Sequence, residues 1–171
     1  NFDVWLWLYG PVASVYAKTS HVPLGGTYPE KSKAVENNAV LVINFESGGV
    51  GMFIKSWAAE IGHGGEGVVC TNGSASFSEG GLRWKTHDMK EAESFKADVP
   101  DDDTYRTLSP EARERNYWSY ASKGASIDHW LKCIAGEEKP TTSGRVGRAG
   151  IEIAEAAYLS SEKGTPITLP I

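Results

Sequence analysis

With two cysteines in 171 residues, Cys70 and Cys133, and no CxxC pair, the sequence lacks both a disulfide framework and the paired-cysteine spacing of a zinc site. Isolated cysteines of this kind read as small buried apolar residues. Nothing argues for an oxidising compartment, and a cytoplasmic location is expected. No apolar run approaches the roughly 20 residues that span a bilayer. The opening FDVWLWLYG is too short, ends at Gly10-Pro11 and lacks the basic flank of a signal peptide. Positive charge is short as well: 17 Lys and Arg against 22 Asp and Glu leave a formal net charge of −5. That balance gives no drive toward nucleic acid or an anionic membrane, whose binders show a basic face. Internal repeats and low-complexity tracts are absent too.

The usual chemical signatures are also missing. There is no GxxxxGK[ST] loop, no GxSxG elbow, and no HExxH or HxxxH pair. The four histidines, His21, His63, His87 and His129, stand apart, so no metal site is expected from spacing. Gly62-His63-Gly64-Gly65-Glu66-Gly67 is glycine-rich, but a phosphate cradle needs a strand before the glycines and a helix after them. Here the β-type run VVCTNG follows, so the glycines read as a strand-to-strand turn, and no cofactor is expected to bind this chain alone.

What is present fits one globular domain over residues 1–171, with 40% apolar and 23% charged residues. Six tryptophans and seven tyrosines leave aromatic surface to spare for binding. Asn1 leads straight into an amphipathic element, which reads like part of something longer. Phe2, Trp5, Leu6 and Tyr9 form one helical stripe, stopped by Gly10-Pro11. A strand follows from Val12 to Thr19, then a long punctuated loop from His21 to Asn38. AVLVINFE and VGMFIKSWAA, joined by Ser47-Gly48-Gly49, read as a hairpin. GEGVVCTNGSASFS, GLRWKT and ESFKADV continue as short strands. Ser109-Pro110-Glu111 starts a helix. Ile127, Trp130, Leu131 and Ile134 mark a second, stopped at Gly136. Ser143 caps a third, carried by Val146, Ala149, Ile153, Ala154, Ala157 and Tyr158 and closed by Gly164. ITLPI makes a last short strand. Strands grouped together, with helices before and after, predict an α+β fold: an open, mainly antiparallel sheet with helices packed on one face.

Among the polar residues, the Asp101-Asp102-Asp103 run reads as a solvated loop. His129 reads as a partly exposed helix residue. Glu60 closes the second hairpin strand after Trp57-Ala58-Ala59 and is a candidate cleft residue. His63 lies just beyond that strand end, where side chains face either a cleft or open solvent. Asp3 is an acid in an apolar turn, and two readings stand: an acid favoured by the helix dipole, or a functional carboxylate.

Several segments together resemble one family, the Gfo/Idh/MocA oxidoreductases. Asn1-Phe2-Asp3-Val4-Trp5-Leu6-Trp7-Leu8-Tyr9-Gly10 resembles the tail of that family's hinge pattern, D-x-G-x-H-x-x-D followed by an apolar helix. Asp3 takes the place of its last acid, and the motif's histidine would stand immediately before Asn1. AVLVINFESGGVGMFIKSW resembles the central hairpin, an N-A-x-x-x-x-x-F-x-x-G-x-x-G run ending at a Trp. GVVCTNGSASF resembles the next strand, with Cys70 in place of the usual glycine. The stretch from Ser126 to Ile171 resembles the closing I-x-x-x-A-x-x-S-x-x-x-G-x-x-x-x-L-P segment. The four motifs run in order over nearly the whole chain.

The resemblance implies the C-terminal domain of a two-domain enzyme. An N-terminal Rossmann domain, absent from these 171 residues, would hold NAD or NADP and carry a lysine that assists proton transfer. The hinge histidine would serve as acid/base during hydride transfer, so no catalytic residue of the chemical step is expected within this chain. The present domain would supply part of a cleft for a sugar, cyclitol or related polyol, and an open sheet for a homodimer or higher oligomer. By position, Asp3 would support the hinge, and Trp57, Glu60 and His63 would approach substrate. Alone, the chain is expected to be inactive. The alternatives are a free-standing, non-catalytic binding or self-assembly module with the same fold, and an unrelated α+β enzyme with scattered site residues.

Overall fold

The computed structural model describes residues 2–21, 36–59, 65–78, 81–95, 109–110 and 125–171. In chain order the described elements are α1 (Phe2–Tyr9), β1 (Val12–Ser20), β2 (Asn38–Phe45), β3 (Val50–Ser56), β4 (Glu66–Cys70), β5 (Gly73–Ser78), β6 (Gly81–Thr86) and β7 (Glu93–Phe95). A helix over residues 125–135, α2, follows, then α3 (Gly144–Lys163) and β8 (Ile167–Thr168). The chain divides into two compact units, Asn1–His63 with Thr141–Ile171, and Gly64–Pro140.

In the first unit four antiparallel strands lie in the order β3-β2-β1-β8. Side chains alternate across a strand, and β2 uses this fully: Leu41, Ile43 and Phe45 are buried while Val40 and Val42 are exposed. The buried face, with Val12, Val15 and Ala17 of β1, packs against Ile153, Ala156 and Ala157 of α3. Each such Val or Ile withdrawn from water contributes about 1.5–3 kcal/mol. The predicted stripe of α1 lies on the same core, since Phe2, Trp5, Leu6 and Tyr9 all pack against it. Its aromatic contacts are specific: Tyr9 stacks on Phe45 at 5.0 Å between ring centres, and Phe2 tilts against Phe53 at 5.4 Å.

Gly51 explains how closely α1 approaches. A Cβ built there would stand 2.1 Å from Cζ3 of Trp5, so the indole occupies the space a side chain would fill. The hairpin turn before β3 needs Gly48 at φ +85°, a left-handed conformation that favours glycine. Its N–H donates to the Phe45 carbonyl at 3.0 Å.

α3 ends as the sequence predicts: Gly164 is left-handed, at φ 70°, and its N–H donates to the Ser160 carbonyl at 2.8 Å. At the other end Ser143 takes the N-cap position, but its hydroxyl makes no capping bond. The first residues of the helix, Gly144 and Arg145, are exposed, so their N–H groups are open to water.

In the second unit β4, β5, β6 and β7 form an antiparallel meander in sequence order. The strand expected over ESFKADV is present as Glu93–Phe95, and the rest of it lies outside the described residues. The helix expected from Ser109 likewise lies outside them beyond Pro110. α2 covers its predicted stripe and stops at Gly136, which is left-handed at φ 78°. The fold is therefore α+β, with open antiparallel sheets and, in the first unit, helices on one face. The cysteines depart from expectation. Both are free thiols, but Cys70 is exposed and Cys133 half-buried, because neither strand β4 nor helix α2 turns its cysteine into a core.

Candidate functional site

Where β1 and β3 end and β2 begins, polar side chains gather at one edge of the first unit's sheet. Asn37 N–H donates to the Ser20 carbonyl at 3.1 Å, and Trp57 N–H donates to the Asn37 carbonyl at 2.7 Å. Asn38 Nδ2 donates to Asn37 Oδ1 at 2.8 Å. The Ser56 hydroxyl donates to Asn38 Oδ1 and accepts the Ala58 N–H at 3.1 Å. This chain of bonds fixes the backbone on both sides of Trp57. The indole itself is 75% exposed, with Lys55 Nζ 5.6 Å from its ring centre. An indole held at its root and open on its face is a surface on which an apolar ring face can stack, with amide and hydroxyl groups beside it.

α3 contributes to the same region. The Tyr158 hydroxyl donates to Oε1 of Glu36, and Ser161 Oγ accepts the Thr19 N–H at 2.9 Å. The hydrogen bond to the Glu36 carboxylate raises the Tyr158 pKa above the usual phenol value, with burial and the same negative charge adding to it.

Of the residues singled out in the sequence, Trp57 stands at this edge. Asp3 lies in the first turn of α1, half-buried. Burial opposes its ionisation, whereas hydrogen bonds from the backbone N–H groups of Val4 and Asp3 favour it. Glu60 and His63 lie outside the described residues. Asn37, Asn38, Ser56 and Tyr158 were not singled out as site residues. The Asn37-Asn38 pair at the head of an apolar run is the one local signal that could have flagged them. The Glu36–Tyr158 pair spans 122 residues and leaves no local trace.

Of the glycine-rich stretch, the described part runs into a strand and not into a helix: Gly65 precedes β4 and Gly67 lies within it. A Cβ on Gly67 would stand 2.8 Å from the Ala75 carbonyl oxygen of β5, so this glycine serves strand pairing. Among the described residues no group of three His, Cys, Asp or Glu side chains is placed to hold a metal ion. Nor is any described helix long and apolar enough to cross a membrane.

A layer of helices on an open antiparallel sheet, beginning with α1 and closing with α3 and β8, is an architecture with known relatives. The family model for the C-terminal alpha/beta domain of the Gfo/Idh/MocA oxidoreductase family matches residues 1–169. The chain belongs to this family. Solved structures agree in fold. An oxidoreductase from Agrobacterium radiobacter, in complex with NAD+, L-tartaric acid and magnesium, aligns with 98% of this chain at 19% identity and a TM-score of 0.71. Levoglucosan dehydrogenase, in complex with NADH and levoglucosan, aligns with 99% at 18% identity and a TM-score of 0.70. The WlbA dehydrogenase from Bordetella pertussis, in complex with NADH and UDP-GlcNAcA, aligns with 99% at 23% identity and a TM-score of 0.58. The aligned region is 46%, 48% and 45% of those three chains, so this Gfo/Idh/MocA chain spans about half their length. No match was found among curated protein sequences.

Proposed function

We propose that residues 1–171 act as the C-terminal substrate-binding and oligomerisation domain of an NAD(P)-dependent oxidoreductase working on a sugar, cyclitol or related polyol. The observation that carries the reading is the family match over residues 1–169, joined to an alignment that takes up under half of each solved oxidoreductase. The three relatives named above are complexed with NAD(H), and their other organic ligands, levoglucosan, UDP-GlcNAcA and L-tartaric acid, all carry several hydroxyl groups.

On this reading Trp57 offers its exposed face to the substrate ring, with Glu60 and His63 beyond the same strand end. Asp3 steadies the helix that continues from the hinge. The dinucleotide and the acid/base histidine belong to the Rossmann half, in keeping with Gly65 and Gly67 standing before and within strand β4. The cofactor supplies hydride transfer, and this chain's residues hold and orient the hydroxyl-bearing carbon.

A matched pair of assays tests this. The 171-residue chain is incubated with NAD+ or NADP+ and a panel of sugars, cyclitols and linear polyols, and nicotinamide reduction is followed by absorbance. The same chain is then joined behind a Rossmann half of this family carrying its lysine and hinge histidine. Turnover by the joined protein only, with KM raised by Trp57→Ala, is the expected result. Turnover by the chain alone would overturn the reading. Ligand binding without turnover in either form would favour a free-standing binding module.

A further inference from the structure

α2 carries a side-chain arrangement that this function does not use. His129 and Cys133 are one helical turn apart, and Cys133 Sγ lies 3.5 Å from His129 Nε2. The other ring nitrogen, Nδ1, is 2.6 Å from Oε2 of Glu138, beyond the end of the helix. The helix terminus makes this possible. Gly136 N–H donates to the Cys133 carbonyl at 3.1 Å, and Glu137 N–H to the Lys132 carbonyl at 2.9 Å, with Gly136 left-handed between them. Those two bonds form a Schellman turn. It folds the chain back along the helix and delivers Glu138 to His129, nine residues earlier in sequence. Lys132 completes the setting: its ammonium is 2.7 Å from Asp128 and 3.6 Å from the second oxygen of Glu138.

The order thiol, imidazole, carboxylate has a chemical meaning. A carboxylate on one ring nitrogen orients the imidazole and holds the proton on that side, which leaves the other nitrogen placed to take the thiol proton. A helix C-terminus disfavours an isolated negative charge. The reactive species is therefore a thiolate paired with the His129 imidazolium, and reactivity depends on His129. Lys132 does not cancel this effect, because Asp128 neutralises it.

We propose that Cys133, His129 and Glu138 form a thiol-modification site, at which Cys133 enters mixed disulfides with small neutral or cationic disulfides. The Cys133 proton passes to His129 Nε2, and Sγ attacks one sulfur of the incoming disulfide. A new S–S bond forms as the old one breaks, and the departing thiolate takes the proton back from the imidazolium. One disulfide is exchanged for another, so no further oxidant is needed. Charge sets the selectivity. Lys132 offsets only one of the two carboxylates that border the site, and the chain carries a net charge of −5, so an anionic disulfide is repelled.

The 171-residue chain is treated at neutral pH with cystamine, a cationic disulfide, and in parallel with oxidised glutathione, an anionic one. Modification of Cys70 and Cys133 is timed by peptide mass mapping. Cys70 is the more exposed thiol, so access alone would make it the faster. The expected result is the reverse order, with cystamine ahead of glutathione at Cys133. His129→Gln should slow Cys133 by about tenfold or more, the scale of a lost proton acceptor. Glu138→Gln should slow it several-fold, and neither should change Cys70. Both variants keep the helix on circular dichroism if His129 and Glu138 act only as described. Cys133 slower than Cys70, or unchanged rates in both variants, would overturn the proposal. If His129→Gln loses helix, Glu138→Gln and the glutathione comparison decide.

Discussion

The backbone N–H of Ala17 donates to the hydroxyl of Ser160 at 2.9 Å, across 143 residues of sequence. β8 pairs with β1 only at Ser14 and Val15, so beyond them that side of β1 has no strand partner among the described residues. α3 takes its place: Ser160 serves Ala17, and Ser161 serves Thr19 at 2.9 Å. Ser160 Oγ also donates to the Thr165 carbonyl at 2.7 Å, tying the helix exit to the strand. Ser160 is fully buried. Replacing it by Ala leaves a buried N–H and a carbonyl unsatisfied, at a cost of about 1–3 kcal/mol. Ser161→Ala removes a half-buried partner that water can replace, and should cost about 1 kcal/mol or less. Urea unfolding followed by circular dichroism reads both, and equal losses would contradict this account of the sheet edge.

Gly51 and Trp5 form a second long-range pair. Alanine at position 51 would ordinarily favour a strand, but here its Cβ meets the indole at 2.1 Å. Gly51→Ala is expected to destabilise by about 1–3 kcal/mol, the usual range for overpacking. The same change in a Trp5→Leu background should cost much less, because the clashing ring is gone. Thermal melts of the four proteins in this cycle give the coupling. Simple additivity would mean that the ring does not set the need for glycine.

These two pairs show what the sequence carries and what it withholds. The stripe Phe2, Trp5, Leu6 and Tyr9 is legible because helix period and burial coincide, and all four pack on the core. The hairpin is legible from Gly48 and the alternation in β2. Gly51 is visible only as part of a family pattern, and its reason is a ring on another element. Ser160 likewise is visible only as the serine of the closing family pattern: a serine on a helix otherwise reads as exposed, and its partner lies in β1. α2 shows the limit of periodicity. Its stripe marks a helix correctly, yet Ile127, Trp130, Leu131 and Ile134 are all exposed, because period says which residues share a face and not what covers it. The site is legible in the same uneven way. Trp57 comes from the motif, whereas the Asn37, Asn38 and Ser56 bonds that hold it depend on strand register.

The uncovered face of the first unit's sheet makes the last prediction. Register places Tyr16 beside Val42 and Val42 beside Met52, with Val40 next to Ile54 one step along. All five are exposed, Met52 at 67%. Among the described residues of this unit the helices pack on the opposite face, and a contiguous apolar patch of this kind marks an interaction surface. A second copy meets the geometry without any further element, because two such faces can pack as sheet on sheet in a self-complementary pair. The chain should therefore elute from size-exclusion chromatography with light scattering as a dimer or larger at micromolar concentration. Met52→Lys and Val42→Lys each put a charge at the centre of the patch. Either should shift the protein toward monomer without altering circular dichroism, since neither side chain enters the core. A wild-type monomer would rule out the sheet face as an assembly surface under those conditions. An oligomer untouched by both substitutions would place the contact elsewhere on the molecule.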